Sequence, residues 1–477
     1  MRRTLSLSVQ ANAPTLNPAP GLRQTLMDRH NWTTPFRLQV TVANLWLLSV
    51  LLALIVFAGA VQLRSAVKAV GQDSAPSILA ALKIRAGLAN MDANAANELV
   101  GLPGQNIQAA LDYEQERKNV TVNLIAATEN ITYGDAERKP IANLTNGLAV
   151  YENWVTQARS LHERGDAAYL AAYRHAARLM QSTLLPNADA LEKANDDAMT
   201  SAYSHQATVT VTLSLLGLAI FVALIPVLIT TQIFLFRRTN RILNAGMLAA
   251  TGFALLLLLW TGRNFVVATR SLHLAKEDAF DSIHALWQAR SIGYDANGDE
   301  SRWLLDRPLA SGYEKEFSEK SNQIAVLPQG QSYKSLADQI EASSSNTVPA
   351  GFQGALAKEL GNITFEGEKA AALSAVRHYG EYMALDQQIR QLANAGEHGK
   401  AVALCIGNDP GQSNWAFDQF DGALGETIQI NQKAFDEGIK QGFAAVAGFD
   451  LLGPALALLI ALAGTFGLRP RILEYYG

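Results

Sequence analysis

Only one cysteine, Cys405, stands in the 477 residues, so neither an intramolecular disulfide framework nor a multi-cysteine metal site can be built. A basic excess is missing as well. Lys and Arg total 39 against 43 Asp and Glu, a net charge of −4, without the electrostatic footprint of a nucleic-acid binder. Catalytic signatures are also missing: there is no Gly-rich phosphate loop ending in Gly-Lys-Ser/Thr, no His-Glu-x-x-His and no Gly-x-Ser-x-Gly. The eight histidines are scattered without close ligand spacing, and His284 reads as a packed or surface residue rather than a ligand. These absences point away from an enzyme and call for no cofactor and no metal.

Charge is missing most tellingly from four apolar stretches, Ala43–Leu63, Val209–Phe236, Leu243–Trp260 and Ala447–Leu468, where only Asp450 intrudes, near an end. About 20 apolar residues cross the hydrocarbon of a bilayer, so each qualifies as a span. None carries an internal ionisable residue of the kind that marks an ion or substrate path, which disfavours a transporter. Ala58-Gly59-Ala60 resembles a signal-peptide cleavage site, but about forty residues precede the apolar run, and an uncleaved anchor is the better reading. Arginines flank the spans asymmetrically. Arg2, Arg3, Arg23, Arg29 and Arg37 precede the first, Arg237, Arg238 and Arg241 sit between the second and third, and Arg469 and Arg471 follow the fourth. The positive-inside rule makes that side cytoplasmic. The expected plan is a cytoplasmic segment 1–42, span 43–63, outer domain 64–208, span 209–236, cytoplasmic Arg-rich loop 237–242, span 243–261, outer domain 262–446, span 447–468 and cytoplasmic tail 469–477. This is a multi-pass protein of the plasma membrane, in contact with its lipids, with both termini inside.

The two outer segments resemble each other, as an internal repeat would. Asp92-Ala93-Asn94 near the start of one is matched by Asp295-Ala296-Asn297 near the start of the other. Farther on, Tyr151, Arg159, Gly165 and Asp166 are matched in spacing by Tyr382, Arg390, Gly396 and Glu397. Within each copy the periodicity is helical. Phe280, Ile283, Trp287, Arg290, Tyr294, Asn297, Ser301 and Leu304 recur at steps of three and four, placing them on one face. The fold class is therefore an all-α membrane protein: four transmembrane helices with two duplicated extracytoplasmic four-helix-bundle-like domains, the first helix of each running out of one span and the last into the next.

The stretch Asp295 to Asp306 places oxygen ligands at the first, third, fifth and twelfth positions of a calcium loop, but Glu300 stands where that loop needs glycine. A helix surface on which Asp299 and Arg302 pair at i, i+3 is the preferred reading. Arg290, Asn297 and Ser301 share a face with Trp287 and Tyr294, so polar groups enter the bundle seam and need partners. They serve either as a register-fixing network or as a ligand or partner surface. The candidate binding residues are Asp92, Asn94, Asp295, Asn297, Arg290 and Ser301.

Several short stretches resemble the actinobacterial GlnX family of membrane proteins. They are Asp92 to Asn97, Asp299 to Asp306, Ser413-Asn414-Trp415-Ala416-Phe417 with Phe420-Asp421 and Ala423-Leu424, and the tail Gly467-Leu468-Arg469-Pro470-Arg471. The resemblance implies a relay between an amino-acid-binding lipoprotein, GlnH-like, outside and a soluble kinase, PknG-like, inside, with no catalytic residues of its own. The small cytoplasmic parts agree, since any inward signal must pass to another protein. A structural scaffold for envelope or division proteins, or a transporter accessory subunit, remains the alternative, and a homo-oligomer stays open.

Overall fold

The computed structural model describes residues 33–239, 244–343 and 347–476. Among these the chain is helical, without strands, apart from a single antiparallel bridge between Val326 and Gln353. Four helical runs are long and apolar enough to cross a membrane: Thr34–Leu99, Tyr169–Arg238, Ala245–Leu305 and Ser413–Leu473. Each therefore extends well past the apolar block legible in the sequence, because the Ala-rich flanks keep high helix propensity.

The chain divides into two compact units. The first comprises residues 1–57, 215–260 and 451–477 and holds the apolar parts of the spans. Leu47, Leu54, Leu218, Val222, Leu256, Leu259 and Phe466 lie exposed on its helices, an apolar surface suited to lipid rather than water. Small residues let its backbones approach. A Cβ on Gly246 would lie 2.5 Å from the Cα of Gly467, and Asn244 donates to the Gly467 carbonyl at 2.7 Å. Arg237 and Arg238 close a helix that begins at Leu185, and Arg469 and Arg471 lie in the last helix. Arg241 falls outside the described residues.

The second unit comprises residues 58–214 and 261–450, so the two long inter-span segments share one compact body. In the first segment, α1 (Thr34–Lys68) passes through a π-turn, Ala69–Ser74, into α2 (Ala75–Leu99). Then come α3 (Ile107–Glu129), α4 (Asp135–Glu163), α5 (Tyr169–Leu179) and α6 (Leu185–Thr239). In the second, α7 (Ala245–His273) passes through a π-turn, Leu274–Phe280, into α8 (Asp281–Leu305). It is followed by α9 (Ala310–Ile324), α10 (Tyr333–Ala342), α11 (Ala355–Gly361), α12 (Glu368–Asn394), α13 (His398–Ile406) and α14 (Ser413–Val446), and α15 (Phe449–Leu473) ends the chain.

Local chemistry sets the ends. The Asn106 side chain caps α3 by accepting from the Ala109 amide at 3.2 Å. Both Gly-acid breaks are helix stops. Gly165 and Gly396 take φ of 68° and 83°, which only glycine adopts without strain. The next amide then reaches back to the helix, Asp166 to the Leu161 carbonyl at 3.0 Å and Glu397 to Leu392 at 2.9 Å.

The centre of this unit is the packing of α2 along α8. From Asp295 to Leu304 every residue of α8 is buried, whatever its helical face. The expectation that Asp299 and Arg302 lie on a helix surface is therefore corrected. They do pair, at 2.6 Å, but both are inside, because α2, α9, α13 and α14 cover α8 from several directions.

Candidate functional site

Two polar sites grow from the α2–α8 contact, one buried and one open. On α8, Asp295, Asp299 and Arg302 follow i, i+4, i+7 spacing and so share a face. Arg302, one of the largest fully buried side chains, bonds Asp92 of α2, Asp299 and, at 3.1 Å, Asp295. Lys320 of α9 reaches Asp299 at 2.5 Å and Asp295 at 3.0 Å. Tyr151 donates to Asp92 at 3.0 Å, and Gln181 to Asp295 at 2.7 Å. Two cations thus face three buried carboxylates, held by residues from both inter-span segments.

The carboxyls do not respond alike. Burial raises Asp92 against the pull of Arg302, and burial likewise raises Asp299 against Arg302 and Lys320. Burial pushes Asp295 up too, but Lys320 and Arg302 outweigh it and hold its carboxyl below the usual range. Such a cluster is costly to desolvate and strongly destabilising to break. Nearby, burial followed by the charge of Asp386 pushes Glu300 up to about 8, while the Ser413 hydroxyl donates to it at 2.9 Å.

The open site is an amide-lined cleft of about 480 Å³. Asn90, Asn94 and Asn97 of α2 again follow i, i+4, i+7 and present one row of amides. Gln108, Asp112, Gln115 and Glu116 of α3 form one wall, and Tyr294 and Asn297 of α8 with Asn408, Asn414, Phe417 and Asp418 form the other. Asn94 donates to Asn90 at 2.8 Å, and Asn97 donates to both Asn297 and Asn414 at 3.4 Å. Burial and the neighbouring Asp421 and Asp112 push Asp418 up to about 6. Beside the cleft, and sharing Glu116 and Tyr294 with it, a groove of about 340 Å³ is lined by Lys83, Trp287 and Arg290.

The sequence candidates divide between these sites. Asp92 and Asp295 belong to the ion network, and Asn94 and Asn297 line the cleft. Ser301 lies beneath it, hydrogen-bonded to Asn97 and 3.3 Å from the Cys405 sulfur. Arg290 stands apart, in a 2.5 Å pair with Asp421 and 5.0 Å from the Trp287 ring centre. His284 meets Glu192 at 2.7 Å. Sequence reasoning missed Arg302 and Lys320 as the cations of the core, and Asn90, Asn97 and Asn414 as cleft amides. The Asn90–Asn94–Asn97 spacing was an available signal, whereas nothing local to Lys320 marks it, since its partners lie on another helix.

The fold and these sites describe a helical membrane protein carrying a polar, ligand-sized cleft in a unit built from its two long inter-span segments. Residues 66–204 match the family described as an actinobacterial sensor domain, which supports a sensing role. Neither the curated proteins nor the solved structures yield a match.

Proposed function

We propose that the chain is a signal relay of the plasma membrane, with both termini cytoplasmic. Its outer unit senses amino acids, through a GlnH-like binding lipoprotein or a directly bound ligand. Its inner face acts on a soluble PknG-like kinase, and the chain itself catalyses nothing. The single observation that carries this reading is the placement of the polar cleft and the ion network on α2 and α8. The chain of each is continuous with a membrane-spanning run, in Thr34–Leu99 and Ala245–Leu305. A ligand or partner that changes the packing of α2 on α8 then acts on elements that lead towards the membrane. The two outer segments read as duplicated copies, since the Asn130 side chain bonds Ser77 at 2.7 Å in one and Asn362 bonds Ser282 at 2.9 Å in the other.

A photo-crosslinking residue placed at Gln115 on the cleft wall, and another at Arg237, test the reading in cells. The outer position should capture a lipid-anchored binding protein, and the inner position a soluble kinase. Capture of division or envelope-assembly proteins at both positions instead would overturn the relay in favour of a scaffold. The purified chain should not turn over ATP, and rates of about 1 to 100 per second, typical of kinases, would overturn its non-enzymatic role.

A further inference from the structure

The cleft between α2, α3, α8 and α14 has a definite chemical character. Eight of its thirteen lining residues are Asn or Gln, three are carboxylates, and none is a cation. A side-chain amide both donates and accepts, and a carboxylate accepts only. Hydroxyl groups, which do both, are the complement of such a surface. An acidic amino acid is not, because a second carboxylate would enter beside Asp112, Glu116 and Asp418 with no positive partner.

One amide is aimed into the space without a protein partner. Asn297 is only 4% exposed and its oxygen accepts from Asn97, but its nitrogen donates to no protein group among the described residues. That nitrogen is not among the fully enclosed polar atoms left without partners, so it opens on the cleft, where water or a ligand can satisfy it. The raised carboxyl of Asp418 agrees, since no cation in the cleft draws its proton off. The volume, about 480 Å³, lies within the range of small-molecule sites.

We propose that this cleft binds a neutral, hydroxyl-rich small molecule, a saccharide or polyol, and excludes acidic amino acids. The ligand accepts from the Asn297 amide and donates to Asp418 on one wall, and faces the α2 amides and α3 carboxylates of the first segment on the other. The proposal deepens the sensor reading. It assigns any response to acidic amino acids to the partner lipoprotein and gives this chain a ligand of its own. Binding to the purified chain and capture of partners in cells are separate measurements, so the two ideas can fail separately.

The test uses the full chain in a sugar-free zwitterionic detergent and saturation-transfer NMR on a fixed panel. The panel holds glucose, galactose, mannose, arabinose, myo-inositol, trehalose, L-glutamate, L-aspartate and spermidine, each at up to about 10 mM, enough to fill even a weak site. At least one neutral member should bind, with little change between low and high salt. Asn297→Leu and Asp418→Asn should each weaken it about tenfold with thermal unfolding unchanged, whereas Lys400→Ala, on the exposed surface, should leave it alone. Silence from every neutral member overturns the proposal. So does glutamate or aspartate binding that the cleft variants abolish, or spermidine binding that salt screens away, which would make this a cation site. Polyol binding that survives both cleft variants overturns it too, by placing the ligand elsewhere.

Discussion

Replacing Arg302 by methionine is the sharpest perturbation of the core. Methionine keeps most of the volume and leaves Asp92, Asp295 and Asp299 facing Lys320 alone. Removing one partner of a buried ion pair costs about 3–5 kcal/mol, because the charges left behind are uncompensated. Among the described residues, Asp92 loses its only cation and Asp299 one of two. We therefore expect the variant near the top of that range. The assay is chemical unfolding of the detergent-solubilised chain, followed through Trp303, which is buried beside the cluster. The deficit should also depend on pH in a set direction. Without Arg302 the folded-state carboxyls of Asp92 and Asp299 rise further above their unfolded values. A carboxyl raised on folding favours the fold while protonated and ceases to as pH climbs through the folded value. The deficit should then be smallest near pH 5 and grow towards about pH 8. Adding Asp92→Asn to the variant should restore part of the loss, a non-additivity of about 0.5–3 kcal/mol for groups in one network. A deficit under about 1 kcal/mol, flat across that pH range, would refute the view that Arg302 compensates buried charge.

Three further outcomes follow from the same structure. Burial and the neighbouring Glu368 push Glu359 up to about 8. Its contribution is present at low pH and lost as pH rises from its unfolded value to about 8, so the thermal midpoint should drop between about pH 5 and pH 8 and level off above, and Glu359→Gln should abolish most of that drop. Asn297→Leu exchanges a 3.4 Å hydrogen bond for apolar contact, so it should shift stability by less than about 1 kcal/mol, and a larger loss in thermal unfolding would make the cleft floor structural. For topology, cysteines at the exposed Ser160 and Glu397 should react with an impermeant thiol reagent on cells stripped of their outer envelope, and one at Asn240 should not. Cys405 gives a low background, being buried with its thiol raised by burial, and labelling reversed at all three sites would invert the proposed orientation.

Much of this was legible in the residues. Charge-free runs of span length mark the four membrane-crossing helices, because a bilayer core excludes charge whatever the rest of the chain does. Helical periodicity placed Asn297 on the seam face of α8, and the Gly-acid pairs at Gly165 and Gly396 marked helix ends, because those are effects within one helix. The other face of α8 could not be read this way. Asp295, Asp299 and Arg302 look like a solvated i, i+3 and i, i+4 set, and no local pattern tells an ion pair in water from one in a core. Only the tertiary structure decided that, by laying α2, α9, α13 and α14 around α8 and bringing Asp92 and Lys320 to it from distant parts of the chain. The cleft is non-local for the same reason. Its amides come from α2, α3, α8, α14 and the loop before α14, and its carboxylates from α3 and α14, and their convergence depends on how the helices pack rather than on what any one of them contains.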